Sequence, residues 1–328
     1  MTTFLRTSRM PAALADRVEK SVTGSGIRRR ARGLLRALNV ALVIGLSTGG
    51  IGMYRAHVAE RDREHRALEK RRAELRTSAR DVASAVGPRE RALVPAVESL
   101  LVRLAGPYEG DLVADVVRAP GGLDAVLARP ALYVRGPAAA FSAPAGVAPV
   151  AAASSKDALV LCLLSPPESR AEGVLLARAK RAYGSPANAA ASVHRLHDVE
   201  ASLPFLAPDW RARIDAAPDA KELAKLAIAF EKSPIHDAIS AFRSDILIAA
   251  VDEPDRGPGP TELDGERAHD VRVVVADLGT GEVLFRIRRR VDPSWVKSIA
   301  ARAQYASGID SCSLAFEVRE AAQRPATR

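Results

Sequence analysis

Residues 37–54 read ALNVALVIGLSTGGIGMY, a stretch with no charged side chain that lies between Arg36 and Arg55. Eighteen helical residues rise about 27 Å, close to the ~30 Å hydrocarbon layer of a bilayer. The preceding residues supply the missing length if the Arg36 side chain reaches towards the headgroups. We therefore predict a transmembrane helix over residues 34–54, with membrane lipid as its partner.

A buried helix of a soluble protein and a cleaved signal peptide are the alternatives to this span. Four glycines, at positions 45, 49, 50 and 52, would weaken a helix in water and are better tolerated in lipid. Gly50 and Gly52 are small enough for a cleavage site, but a basic region of 36 residues is unusually long for a signal peptide. The pattern favours an uncleaved signal-anchor.

The net charge of +9 is unevenly distributed along the chain. Residues 1–36 hold nine basic and two acidic side chains, a net charge of +7, which leaves +2 for everything that follows. A basic segment beside an apolar stretch is typical of membrane topology, so we predict no nucleic-acid binding. Residues 1–33 are predicted to be disordered, because none of their apolar faces is long enough to fold alone. The compact RRRAR run beside the apolar stretch predicts that this tail lies in the cytoplasm.

Residues 55–87 predict a charged helical stalk, because no Pro or Gly interrupts them before Gly87-Pro88. Leu68, Leu75 and Val82 recur every seven residues, as in a coiled coil, but the alternate heptad positions, Arg71 or Arg72 and Ser78, are polar. Packing on the chain's own domain and pairing with a partner chain fit this pattern equally well.

The segment GLSTG within the apolar stretch matches the G-x-S-x-G pattern of serine hydrolases. It lacks the strand-turn-helix context that exposes the nucleophile, so we interpret it differently. Ala41, Gly45 and Gly49 recur every four residues, which is the small-residue face on which two membrane helices approach closely. A homodimer or an envelope protein partner is therefore predicted.

Residues 88–328 predict an extracytoplasmic α/β domain, in which a mixed sheet carries packed helices. Residues 131–135 could form a strand, and the apolar runs at 158–164 and 246–251 predict buried strands. Residues 271–277 and 282–291 predict a hairpin. Helical patterns lie between them, including one at 187–201, and a helix is favoured over a strand at the C-terminus. The Ala/Pro-rich residues 136–155 predict a flexible exposed loop.

Asp252, Glu253 and Asp255 follow a predicted buried strand, where open α/β sheets often place functional carboxylates. They are weak catalytic candidates, as an acid/base pair or a metal site. The Gly/Pro-rich sequence that follows has no calcium-binding pattern. A solvated loop is the commoner origin of such a cluster.

His194 and His197 are candidate metal ligands, because they lie three positions apart on a predicted helix and Asp198 is adjacent. Two ligands do not make a site, and surface histidines explain the pattern more simply. Arg286 and Arg288–Arg290 could bind an anionic polymer, although charged strands more often prevent edge-to-edge aggregation.

Cys162 and Cys312 are the two cysteines of the chain. In an oxidising compartment they could form a disulfide; two buried thiols are the alternative.

The sequence contains no phosphate-binding loop, dinucleotide fingerprint or H-E-x-x-H motif, and no cofactor is predicted. The Arg- and Ala-rich, Lys-poor composition is typical of GC-rich bacterial genomes. These features predict a single-pass protein of the bacterial inner membrane, N-terminus in the cytoplasm, whose outer domain binds, senses or assembles and is not an enzyme. The alternative is a membrane-anchored, hydrolase-like envelope enzyme with a site near Asp252 and His194/His197.

Overall fold

The computed structural model describes residues 25–154, 156–184, 191–253, 268–292 and 299–324. The chain divides into two compact units between Lys70 and Arg71. The first unit contains most of one long helix, and the second contains a six-stranded sheet with its helices.

Helix α1 (Ser25–Ala85) begins inside the segment for which the sequence predicts no fixed structure, and it runs through the predicted span and stalk. It ends before Gly87 and Pro88, the helix-breaking pair. Within the described residues, no single helix combines the length and apolarity needed to cross a membrane. The apolar part of α1, Leu34–Ile44, is shorter than a membrane span. One helix pair, Pro144–Ala153 with Ala158–Leu164, has the length and composition of a span when its two helices are taken together, but it is bent by 80°.

The end of α1 belongs to the second unit and packs on it through one face. Leu75, Ala79 and Val82 are buried there, at spacings of four and three residues that place them on one side of a helix. Arg72 donates from Nη2 to the Ala217 carbonyl oxygen at 2.7 Å. The sequence left two alternatives for the stalk, packing on the chain's own domain and pairing with a partner chain. For residues 75–82 the structure shows packing on the chain's own domain.

The sheet confirms the predicted mixed α/β architecture. Its strand order is β1-β6-β5-β4-β2-β3. Strand β2 is parallel to β3 and β4, while the β4–β5, β5–β6 and β6–β1 pairs are antiparallel. The strands are β1 (Leu112–Val113), β2 (Ala131–Pro137), β3 (Val193–Arg195), β4 (Ile246–Asp252), β5 (His269–Asp277) and β6 (Val283–Val291).

Helices cover both faces of the sheet, which explains why β4 is buried along its whole length. Before β2 the chain forms α2 (Pro88–Arg91), α3 (Leu93–Ala105), α4 (Asp115–Arg118) and α5 (Gly122–Leu127). Between β2 and β3 it forms a 3-10 helix (Ala138–Ser142), α6 (Pro144–Ala153), α7 (Ala158–Leu164) and α8 (Glu172–Gly184). After β3 come α9 (Leu196–Glu200), α10 (Leu203–Leu206), α11 (Pro208–Ala216), α12 (Ala220–Lys232), α13 (Ile235–Ala241) and, after β6, α14 (Ile299–Gln323).

The predicted hairpin is confirmed as β5 and β6, and its turn is held by local contacts. The Asp277 carboxylate accepts hydrogen bonds at Oδ1 from the backbone N–H groups of Gly279 (2.8 Å) and Thr280 (3.0 Å). Gly281 has φ +70°, a conformation that favours glycine. The C-terminal segment is helical, as favoured from the sequence.

The prediction of a strand at 158–164 is wrong, because these residues form α7. Asp157 caps this helix by accepting a hydrogen bond at Oδ1 from the Val160 N–H at 3.3 Å. Six of the seven residues are buried, so every side of the helix faces the core. A continuous apolar run fits a buried helix as well as a buried strand. The helix cap, Asp157, is the only signal in the sequence that distinguishes the two.

Residues 136–154 are also not the exposed loop that the composition predicts. Val147 and Ala151, four residues apart on α6, are buried, as is Phe141 on the 3-10 helix. A Cβ at Gly136 would collide with the Val150 side chain, so the glycine permits the close approach of β2 and α6. The segment is therefore helical and anchored to the core through a few buried side chains, while most of its Ala and Pro residues are exposed.

Candidate functional site

A cluster of buried polar side chains lies at the carboxyl ends of the parallel strands β2 and β4. The register places Pro137 opposite Asp252 and Arg135 opposite Ala250. Because side chains alternate between faces, Tyr133 and Arg135 point to the same side of β2. In open α/β sheets this edge is the usual place for functional groups.

Arg135 and Asp252 form the central ion pair of this cluster. The Arg135 Nη2 lies 2.8 Å from Asp252 Oδ1, and its Nε lies 3.2 and 3.1 Å from Oδ1 and Oδ2. The two side chains are 7% and 1% exposed. A charge this deeply buried is tolerated only when it is paired and hydrogen-bonded, as both are here.

Asp157 links the ion pair to helix α7. While Oδ1 caps that helix, Oδ2 accepts hydrogen bonds from the Tyr133 hydroxyl at 2.5 Å and from Arg135 Nη1 at 3.3 Å. One guanidinium therefore faces two carboxylates. Both strands and the start of α7 are fixed by the same charges.

Two further side chains complete the cluster from β5 and α14. His269 Nε2 lies 3.2 Å from Asp252 Oδ1, and Ser311 Oγ accepts from Arg135 Nη1 at 2.9 Å. The Ser154 hydroxyl accepts from the Arg135 backbone N–H at 2.9 Å. We call these side chains the carboxyl-end network; its members are Tyr133, Arg135, Ser154, Asp157, Asp252, His269 and Ser311.

Burial alone would raise the pKa of Asp252, because it disfavours the charged form. The charge of Arg135 and the hydrogen bonds from His269 and Arg135 outweigh that effect, so the pKa lies below its ordinary value. Asp252 is thus an ionised carboxylate whose oxygens are already engaged. This state suits a structural ion pair better than a general base, which needs a pKa near the working pH.

Glu253 belongs to a separate ion cluster with the arginines of β5 and β6. It pairs with Arg272 and with Arg288, whose Nη2 lies 2.6 Å from Glu253 Oε2. Arg289 pairs with Asp111 at 2.8 Å and Arg286 with Glu109. The basic side chains of β6 thus have acidic partners within the domain, which weakens the case for an anionic polymer ligand.

The three carboxylates of the catalytic prediction therefore have different environments. Asp252 and Glu253 are buried and ion-paired, so the expectation of a solvated loop is wrong for both. Strand β4 ends at Asp252, so Asp252 still belongs to the strand. Asp255 lies outside the described residues.

His194 and His197 do not share a helix as predicted, because His194 is in strand β3 and His197 is in α9. Desolvation lowers the pKa of His194, helped by the nearby charge of Lys156. Among the described residues, no group of three or more His, Cys, Asp or Glu side chains could hold a metal ion.

Cys162 and Cys312 are joined by a disulfide, with their Cα atoms 5.1 Å apart. The bond connects α7 to α14, the helices adjoining Asp157 and carrying Ser311, and so it holds two sides of the carboxyl-end network together. Of the predicted helix-packing face, Ala41 is exposed on α1, while the surroundings of Gly45 and Gly49 lie outside the described part of the chain.

Sequence reasoning identified Asp252 and missed the rest of the carboxyl-end network, namely Tyr133, Arg135, Ser154, Asp157, His269 and Ser311. Two signals were available. Arg135 interrupts an otherwise apolar strand, and Asp157 immediately precedes an apolar run. Each is a charge in a segment that predicts burial, which implies a buried partner.

The sequence matches no protein-family model and no curated protein, and the structure matches no solved structure.

Proposed function

We propose that this chain is a single-pass protein of the bacterial inner membrane, anchored through α1. Its N-terminus lies in the cytoplasm, and its extracytoplasmic α/β domain is a non-enzymatic binding, sensing or assembly component of the envelope. Attachment to the membrane, the compartment and the role of the domain are supported by separate features.

The exposed apolar part of α1 is the observation that carries the proposal. Every residue from Leu34 to Ile44 is exposed, and seven of these side chains are large and apolar. They are Leu34, Leu35, Leu38, Val40, Leu42, Val43 and Ile44, each between 57% and 68% exposed. They cover all sides of the helix, so one packing partner in water would leave apolar surface exposed, whereas lipid would cover it.

The disulfide supports an extracytoplasmic domain. Disulfides persist in oxidising compartments such as the periplasm and are rare in the cytosol. The domain lies on the C-terminal side of the proposed anchor, so the basic segment before the anchor would stay in the cytoplasm.

The carboxyl-end network supports a non-enzymatic domain. At the edge where an α/β enzyme would hold reacting groups, the oxygens of Asp157 and Asp252 accept hydrogen bonds from the protein's own side chains. An envelope hydrolase is the second candidate, favoured by the contact between His269 and Asp252. Their side chains are only 5% and 1% exposed, so a substrate would reach them only after the domain opened.

Extraction of membranes with alkaline carbonate tests the anchor. We expect the full chain to remain in the pellet and the double variant Val40→Arg, Val43→Arg to be released. Ala73→Arg, a charge added at an exposed position of the same helix, is the matched control and should stay in the pellet. Release of the unmodified chain would contradict the anchor.

Protease treatment of spheroplasts and thiol titration test the compartment. We expect the domain to be degraded from outside, with no free thiols before reduction and two after it. Protection from protease, or two free thiols in the native chain, would contradict an extracytoplasmic domain.

A further inference from the structure

A cavity of about 310 Å³ lies at the end of the sheet opposite to the carboxyl-end network. Its walls come from α2 and the start of α3, from residues 242–245 between α13 and β4, and from the β5–β6 turn. Leu278 donates its backbone N–H to the Asp245 carbonyl oxygen at 2.8 Å, which fixes two of these walls to each other. We call it the amino-end cavity; its volume is at the lower end of the range for small-molecule sites.

The buried lining of the amino-end cavity is apolar except for one hydroxyl group. Leu93 and Phe242 are 8% and 3% exposed. Ser244 is 6% exposed, and its Oγ has no hydrogen-bond partner among the described residues. A buried hydroxyl without a partner costs free energy.

The more exposed lining carries charges of both signs. Arg89 and Arg243 are exposed, and Glu90 and Asp245 are half-buried. Within the described part of the chain, none of these four side chains forms an ion pair or a side-chain hydrogen bond. The arginines of β6 differ in this respect, because they are paired with acidic side chains. The charges of the amino-end cavity are therefore available to a ligand.

We infer that the amino-end cavity binds an α-amino acid with an apolar side chain. The ligand carboxylate would pair with Arg89 and Arg243, and its ammonium group with Asp245 and Glu90. Its apolar side chain would lie on Leu93 and Phe242. This inference rests on the proposed binding function, since it names the class of ligand that the domain takes.

Titration calorimetry on the full chain in detergent micelles tests the inference with leucine as the probe. Arg243→Gln and Asp245→Asn should each weaken leucine binding about tenfold or more, the effect of losing one charge-assisted hydrogen bond. Arg211→Gln, a change at an exposed arginine outside the cavity, is the matched control and should leave it unchanged.

Two leucine derivatives test the contribution of each ligand charge separately. N-acetyl-leucine keeps the carboxylate and leucinamide keeps the ammonium, and each should bind at least about tenfold more weakly than leucine. Equal binding of either derivative, equal binding by the cavity variants, or no heat with leucine would overturn the inference. None of these results bears on membrane attachment, which carbonate extraction tests separately.

Discussion

The two ends of the sheet hold similar side chains in opposite states. At the carboxyl ends of β2 and β4, Arg135, Asp252 and Ser311 are buried and bound to each other. At the amino end of β4, Arg243 and Asp245 have no ion pair within the described residues, and the buried Ser244 hydroxyl has no hydrogen-bond partner there.

This difference separates polar groups that hold the fold from polar groups that are free to bind. Paired charges contribute to stability only while their partners remain, and removing one leaves the other buried alone. Unpaired charges have no partner to leave behind, so substituting them should affect ligand binding and leave the fold intact. The following substitutions test this division.

Asp252→Asn should have the largest effect, lowering the free energy of unfolding by about 3–5 kcal/mol, because Arg135 would lose its main buried counter-charge. Tryptophan fluorescence during denaturation of the full chain in detergent micelles measures it. In the unmodified chain this stabilisation should be present at neutral pH and fade as the pH falls below about 4, because the folded state lowers the pKa of Asp252.

Asp81→Asn is the control for this prediction, since Asp81 is an exposed carboxylate of α1. It should shift the unfolding midpoint little. If the Asp252 variant were as stable as the control, the carboxyl-end network would not be what holds β2, β4 and α7 together.

Ser311→Ala and Ser244→Ala form a matched pair, since both serines are at least nine-tenths buried. Ser311→Ala should lower the free energy of unfolding by about 1–2 kcal/mol, because Arg135 loses an acceptor. Ser244→Ala should leave the free energy of unfolding unchanged or raise it, because it removes a buried hydroxyl that has no hydrogen-bond partner within the described residues. Parallel denaturation curves measure both, and equal losses would remove the distinction between the two ends.

Glu200, in α9, shows what happens to a carboxyl group with buried, unpaired oxygens outside the carboxyl-end network and the amino-end cavity. Its two oxygens are buried without hydrogen-bond partners among the described residues. Burial and, to a smaller extent, the carboxylate of Glu98 raise the pKa of Glu200 to about 7. The folded state therefore binds a proton that the unfolded state releases between about pH 4.5 and 7, so stability should rise as the pH falls through that range.

Glu200→Gln should flatten this pH dependence and shift the unfolding midpoint upwards at pH 8, where the unmodified side chain is charged. Denaturation at pH 5, 6, 7 and 8 measures the effect. Glu98→Gln should reduce the slope only in part. An unchanged slope in the Glu200 variant would contradict the raised pKa.

The sequence predicted the local parts of the domain and missed those that depend on distant contacts. The β5–β6 hairpin was predictable because alternation and the Asp277–Gly281 turn lie within one short segment. The α7 helix was not, because its apolar run has no periodicity and its only helix signal is Asp157. The Arg135–Asp252 pair joins residues 117 positions apart, so no local pattern could reveal it.

The amino-end cavity could not be predicted either. Its lining residues are individually ordinary: two arginines, two carboxylates and a serine from three separate segments. Only the fold brings them together. The unpaired state of Ser244 is a property of packing, and no sequence pattern expresses it.

The strand order has a consequence for how the domain folds. Strand β1, at an edge of the sheet, pairs with β6, which is the last strand in the chain. Strand β2 pairs with β4, which also comes much later in the sequence. Such a topology has high contact order, which slows folding because long loops close before their contacts form. We expect the β5–β6 hairpin to form early, because its strands are adjacent in sequence. The strands that precede it in the chain would then pair with it.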